Sequence, residues 1–212
     1  MSQPVPLAGN RLQAMGEVKG MADERAWDKL LRIRTGGLDE TNTDQHHYRY
    51  EPTPYRVLER LADSGLIGKG DTVLDYGCGK GRVCFFLAQR TGARAIGIEY
   101  DARIYQSALE NRRTAAVSAD FVPARAEEYE VPGEVNRCFF FNPFSVELLQ
   151  KVMARILASW YEEARELLLF FYYPFDDYIS YLMGVDELEL WEELDCGSDP
   201  RDRIMIFRLA RY

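Results

Sequence analysis

Val73-Leu74-Asp75-Tyr76-Gly77-Cys78-Gly79-Lys80-Gly81-Arg82 decides the fold of this 212-residue chain. Val73 and Leu74 are strand formers, and Asp75 stands where a buried strand would end. Three glycines at alternate positions then read as a turn. After them Val83-Cys84-Phe85-Phe86-Leu87-Ala88 resumes an apolar run suited to a helix packed on a sheet. Glycine permits positive φ and lets a ligand approach bare backbone, and the helix start beyond the turn offers unpaired N–H groups and partial positive charge. A dinucleotide-binding turn would need Gly-x-Gly-x-x-Gly, but its last position here is Arg82. A phosphate loop would need Gly-Lys-Ser/Thr, which does not follow.

Outward from this turn, Ala95-Ile96-Gly97-Ile98 reads as a second buried strand with Glu99 at its end. Glu99 comes 18 residues after Gly81, close to the roughly 20 expected of a ribose-binding carboxylate at the tip of the next strand. Asp75 followed by the Gly-x-Gly-x-Gly turn resembles motif I of the class I S-adenosylmethionine (SAM) methyltransferases, Glu99 stands where such a protein needs its second acid, and the resemblance covers about residues 48 to 212. That resemblance implies an α/β, Rossmann-like, doubly wound seven-stranded sheet, mostly parallel with an antiparallel last strand. Residues 1–47 would form an N-terminal arm and short helix ahead of the domain at 48–212.

The same resemblance implies SAM as cofactor, with S-adenosylhomocysteine as product. Asp75 would serve the methionine end, Gly77 and Gly79 would admit its aminocarboxylate, Gly81 would close the turn and Glu99 would take the ribose hydroxyls. Cys78 counts among the cofactor-binding residues of that turn and reads as a small filler there, with a catalytic thiol as the minor alternative. Tyr100 would lie against the adenine. Relatives place an acid after the third strand to take the adenine amino group. Here that position falls on Arg125, which removes that acceptor and leaves the adenine ring to be met by the backbone N–H of Ala126 or the carboxylate of Glu127.

The apolar run Asn136 to Phe141 suits a central parallel strand buried on both faces. It ends in Asn142-Pro143-Phe144, and strand C-terminal ends face the ligand crevice in open α/β sheets. The tripeptide resembles motif IV of amino-group methyltransferases, lacking its second proline, and the Asn-Phe segment of non-SET lysine methyltransferases. The resemblance implies that Asn142, which also borders the cofactor, accepts hydrogens from a target amine, together with the Pro143 carbonyl and a packing aromatic at Phe144. A plain strand-terminating turn is the alternative. Tyr50 and Tyr55, at the entry to the helix before the first strand, and Tyr173 and Phe175, after the fifth, are expected to wall the substrate pocket.

Elsewhere, Ala22 to Ile33 has Trp27, Leu30, Leu31 and Ile33 at helical spacing. A helix is expected to begin with Thr53 as N-cap and Pro54 in its first turn. Glu187 to Leu194 alternates leucines with acids as a half-buried strand does, and Ile204 to Leu209 follows as its hairpin partner. Adjacent His46 and His47 point apart on any regular element, so no metal is expected. The four cysteines, at 78, 84, 138 and 196, form no Cys-x-x-Cys pair. With no secretory signal and no membrane-length apolar run, reduced thiols in a cytoplasmic protein are expected. The formal charge of −8 and the scatter of arginines disfavour a large nucleic acid as methyl acceptor and favour a basic protein or small amine. The competing readings are an RNA or DNA base N-methyltransferase, a non-catalytic SAM-binding scaffold and, more distantly, a nicotinamide-dependent oxidoreductase.

Overall fold

A computed structural model describes residues 24–37 and 50–210; the two histidines and the first 23 residues lie outside the described residues. The chain runs α1 (Glu24–Leu31), α2 (Tyr55–Asp63), β1 (Thr72–Tyr76), α3 (Arg82–Thr91), β2 (Arg94–Glu99), α4 (Ala102–Thr114) and β3 (Asp120–Pro123). A 3₁₀ turn (Ala126–Glu128) leads to β4 (Arg137–Phe140), α5 (Val146–Glu162), β5 (Leu168–Tyr172), α6 (Asp176–Leu182), β6 (Leu188–Asp195) and β7 (Arg203–Leu209). The strands form one seven-stranded sheet in the order β3-β2-β1-β4-β5-β7-β6. Strands β1 to β5 are parallel, and β7 runs antiparallel to both β5 and β6.

The order reverses between β1, which pairs with β2, and β4, which pairs with β1 on its other edge. Such a switch point opens a crevice at the carboxyl ends of the strands. It explains why β1, β4 and β5 are buried throughout, as strands covered by helices on both faces must be. One apolar cluster, with Val73, Phe85 and Phe139, fills the face under α1–α4. The other, with Leu74, Phe140 and Leu149, fills the face under α5 and α6. On the second face Tyr76, Phe140 and Phe171 stack in series at ring separations of 4.7 and 4.5 Å.

Three local expectations are corrected. Thr53 does not cap α2: Pro54 holds the cap position with no side-chain hydrogen bond, and the first helical N–H, of Tyr55, donates instead to Glu24 Oε1 of α1 (2.9 Å). On α1, Trp27 and Leu31 are buried but Leu30 is exposed, because the helix offers only one face to α3. In β6 the leucine alternation fails at a register shift between Leu190 and Glu192. The shift turns Leu190 and Trp191 outward on this edge strand, where the Arg208 guanidinium covers the Trp191 ring at 3.8 Å. Among the described residues no helix is long and apolar enough to cross a membrane.

Candidate functional site

A cleft lies at the switch point. Its floor is the turn after β1, one side is the end of β2, and the other is Asn142-Pro143-Phe144 after β4. Asp75, Gly77, Cys78, Glu99, Tyr100, Ala126, Glu127 and the three residues 142–144, though far apart in sequence, all border it. The loop Tyr50–Thr53 forms its roof.

Glu99 organises the floor. Its Oε2 accepts the Gly79 N–H (3.0 Å) and its Oε1 the Asp101 N–H (2.9 Å), while Asp101 caps α4 through the N–H groups of Arg103 and Ile104. Burial raises the Glu99 carboxyl to about 7 against these stabilising N–H groups, and the Asp101 charge adds to the rise. Asp75 is 3% exposed, and its Oδ2 accepts from the Cys84 thiol at 3.7 Å. Burial raises it to about 7 as well, and the Glu99 charge adds to the effect. The Cys78 thiol is pushed well up by burial, which suits a packing side chain and not a nucleophile.

The bend is closely packed by its own protein. A side-chain carbon at Gly77, whose φ is +71°, would stand 2.6 Å from Pro143 Cβ. At Gly79 the same position is filled by the Tyr50 ring, and at Gly81 by Phe121 and Phe85. Gly77 borders the cleft, whereas Gly79, under the Tyr50 ring, and Gly81, under Phe121 and Phe85, are not among the residues that line it.

Asn142 has φ +40° and Tyr173 has φ +49°, left-handed conformations uncommon outside glycine and most tolerated by asparagine. The strained pair is locked together, with Asn142 Nδ2 donating to the Tyr173 carbonyl at 2.6 Å. That bond fixes the amide orientation and turns Oδ1 the other way. Among the described residues Oδ1 is buried and has no hydrogen-bond partner, in a residue 8% exposed. Such an orphaned acceptor is rare in folded proteins and points to a missing donor.

Three predicted pocket residues lie elsewhere. Tyr55 is fully buried, its hydroxyl donating to Asp28 Oδ1 (2.6 Å) and its ring stacked on Trp27 at 5.9 Å; α2 begins at this residue and turns it into the core. Tyr173 contributes its carbonyl, while its ring lies under Arg201 and its hydroxyl donates to Asp199. Phe175 is 42% exposed and packs edge-on against Tyr178. Arg82, absent from the expected site residues, also borders the cleft and is 3% exposed. A charge opening an otherwise apolar helix was the available signal, since a buried guanidinium demands counter-charges.

The residues fit a cationic adenosyl cofactor. The partners of Asp75 and Glu99 are a thiol and backbone N–H groups, not a cation, so the cofactor's cationic end would meet Asp75 and its ribose hydroxyls would meet Glu99. The strand order and the cleft at its switch point give a Rossmann-like fold whose site would suit SAM. Residues 73–165 match the family model described as a methyltransferase domain. Over 86 residues, 40% of this chain and 53% of the relative, the chain is 29% identical to a protein-lysine N-methyltransferase of Saccharolobus islandicus. Over 49% of its length and 28% of the relative's, it is 26% identical to a 23S rRNA uracil-C5-methyltransferase of Acidithiobacillus ferrooxidans. The chain thus spans about half the length, or less, of these curated relatives. The structure of an RNA methyltransferase from Salinibacter ruber bound to S-adenosylhomocysteine superposes with a TM-score of 0.58 at 20% identity, covering 75% of this chain and 92% of that one.

Proposed function

We propose that this protein transfers a methyl group from SAM to an amine nitrogen, on a protein side chain or a small molecule. The observation that carries the reading is Asn142 Oδ1, a buried acceptor without a partner among the described residues, in a residue that borders the cleft between the β1 turn and the β4 loop. SAM, when bound, supplies an electrophilic methyl group, so the protein needs no nucleophilic side chain or metal of its own. Its task is to hold the acceptor in line and exclude water. Asn142 Oδ1 would accept an N–H of the acceptor and aim its lone pair, Pro143 and Phe144 would pack beside it, and Asp75 and Glu99 would bind the cofactor's cationic and ribose ends.

An amine must arrive neutral to react, and desolvation in this cleft favours that form. Besides the two carboxyls given to the cofactor, the bordering Glu51, Asp101 and Glu127, with Arg82 buried and already paired, favour an acceptor that is cationic in solution over one carrying phosphates. The test is turnover of methyl-labelled SAM on extract sorted into protein, RNA and small molecules, followed by Asn142→Ala on the acceptor found. Label confined to RNA, or full turnover by Asn142→Ala, would overturn the amine assignment.

A further inference from the structure

The roof of the cleft is held in place by the arginine that follows the last glycine of the turn. Arg82 opens α3, where the helix dipole disfavours a cation, yet its side chain is buried. Counter-charges arrive from the N-terminal helix: Glu24 pairs with Nη1, and Asp28 Oδ1 lies 3.9 Å from Nη2. Nε donates to Thr35 Oγ1 at 2.7 Å, Nη1 donates to the Thr53 carbonyl at 3.1 Å, and the guanidinium faces the Tyr55 ring at 4.3 Å.

Thr35 ties these contacts into one unit. Its N–H and hydroxyl both donate to Asp28 (2.8 and 2.7 Å), and its carbonyl accepts the Tyr50 hydroxyl at 2.7 Å. Lys80, inside the glycine turn, donates to the Gly36 carbonyl (3.1 Å) and stands over the Tyr50 ring at 4.7 Å. The ring so held is the one seated on Gly79. Residues 24–37, the roof at 50–53 and the cofactor turn are therefore joined by one charged network with Arg82 at its centre.

We propose that Arg82, with Glu24, Asp28 and Thr35, is the positioning unit that sets Tyr50–Thr53 over the glycine turn, so that docking of α1 is a condition of tight cofactor binding. The proposal rests on the SAM-binding reading of the cleft. None of the four residues handles the methyl group; they act through Tyr50 and the backbone of the roof. Coupling of this kind is reciprocal: if a docked α1 favours the cofactor, the bound cofactor must hold α1 more firmly.

The test uses the full chain and S-adenosylhomocysteine, with affinity by calorimetry, thermal midpoints, and hydrogen exchange over residues 24–37 with and without ligand. Thr35→Val keeps the shape and removes the hydroxyl, Thr35→Ser restores it, and Tyr50→Phe removes only the bond to the Thr35 carbonyl. Losing a hydrogen bond to a charged group should weaken binding about tenfold in Thr35→Val. Thr35→Ser should bind within about twofold of wild type, Tyr50→Phe should fall between the two, and ligand should slow exchange in α1. A purely structural role would lower the thermal midpoint and leave the affinity of the folded protein unchanged. If Thr35→Val and Tyr50→Phe bind like wild type and exchange in α1 ignores the ligand, the proposal falls. Should Thr35→Val not fold, Tyr50→Phe and the wild-type exchange decide alone. Absence of binding by well-folded wild type would bring down the cofactor reading, and the positioning unit with it, in a separate arm.

Discussion

Asp75→Asn isolates the charge that the cleft keeps waiting for a cation. The Asp75 carboxyl rises from its ordinary 3.8 to about 7, chiefly by burial. Between those two values the folded protein holds a proton that the unfolded chain has released. Stability therefore falls as pH rises from about 4 to about 7, and levels off above. At about 1.4 kcal/mol per pH unit, the ionised side chain costs the ligand-free protein on the order of 4 kcal/mol above neutral pH. A cationic cofactor favours the ionised form, so wild-type affinity for SAM should tighten as pH rises toward 7, by up to about tenfold per pH unit for each such carboxylate. The assay is urea unfolding of wild type and Asp75→Asn at pH 5 and pH 8.5, with calorimetry of SAM at the same values. Comparing the two pH values cancels whatever the amide does to packing. We expect Asp75→Asn to lose much less stability than wild type between pH 5 and 8.5, and to bind SAM more than tenfold more weakly at the higher pH. Identical pH dependence of stability in the two proteins would refute the reasoning, whatever their absolute stabilities.

Four further outcomes are expected. Asn142→Ala should lower kcat on the identified acceptor by about 10²-fold or more with S-adenosylhomocysteine affinity nearly unchanged, because in the proposed function the orphaned oxygen would address the acceptor; steady-state kinetics beside calorimetry check this. Gly77→Ala should destabilise by about 1–3 kcal/mol in urea unfolding, since its Cβ would meet Pro143 Cβ at 2.6 Å and its φ is +71°. Leu149→Ala should cost about 2–5 kcal/mol by the same measurement, as Leu149 is fully buried under the sheet. With a thiol reagent at pH 8, Cys78, Cys84 and Cys138 should stay silent in the native state, and Cys196 alone should react, slowly, because it is only half-buried and its thiol is pushed up to about 11.

The carboxyl-end architecture was legible because its signals are local. Three central strands are apolar runs with a polar residue at or near the crevice end: Asp75 one residue before the end of β1, Glu99 at the end of β2 and Asn142 two residues after β4. What failed depended on distant partners. Thr53 looked like a helix cap, yet the cap is Glu24, 31 residues away from the Tyr55 N–H it binds. Tyr55 carried the same aromatic signature as Tyr50, and only the start of α2 sends one ring into the core and leaves the other over Gly79. Arg82 was read for the glycine it replaces and not for its buried charge, because its counter-ions lie on a helix more than fifty residues earlier. The edge strand β6 misled for another reason: a register shift between Leu190 and Glu192 leaves Leu190 exposed while Leu194 is buried, and nothing in an alternating sequence announces it.

Pro143 nests against the bare backbone of Gly77, so one van der Waals contact joins the segment that would meet the acceptor to the segment that would cradle the cofactor. Retargeting this protein to a new acceptor by recoding the residues after β4 would therefore reshape the donor's berth at the same time. A library for altered selectivity should vary positions 77 and 143 as a linked pair, and variants chosen for a new acceptor should be screened for donor affinity in the same round.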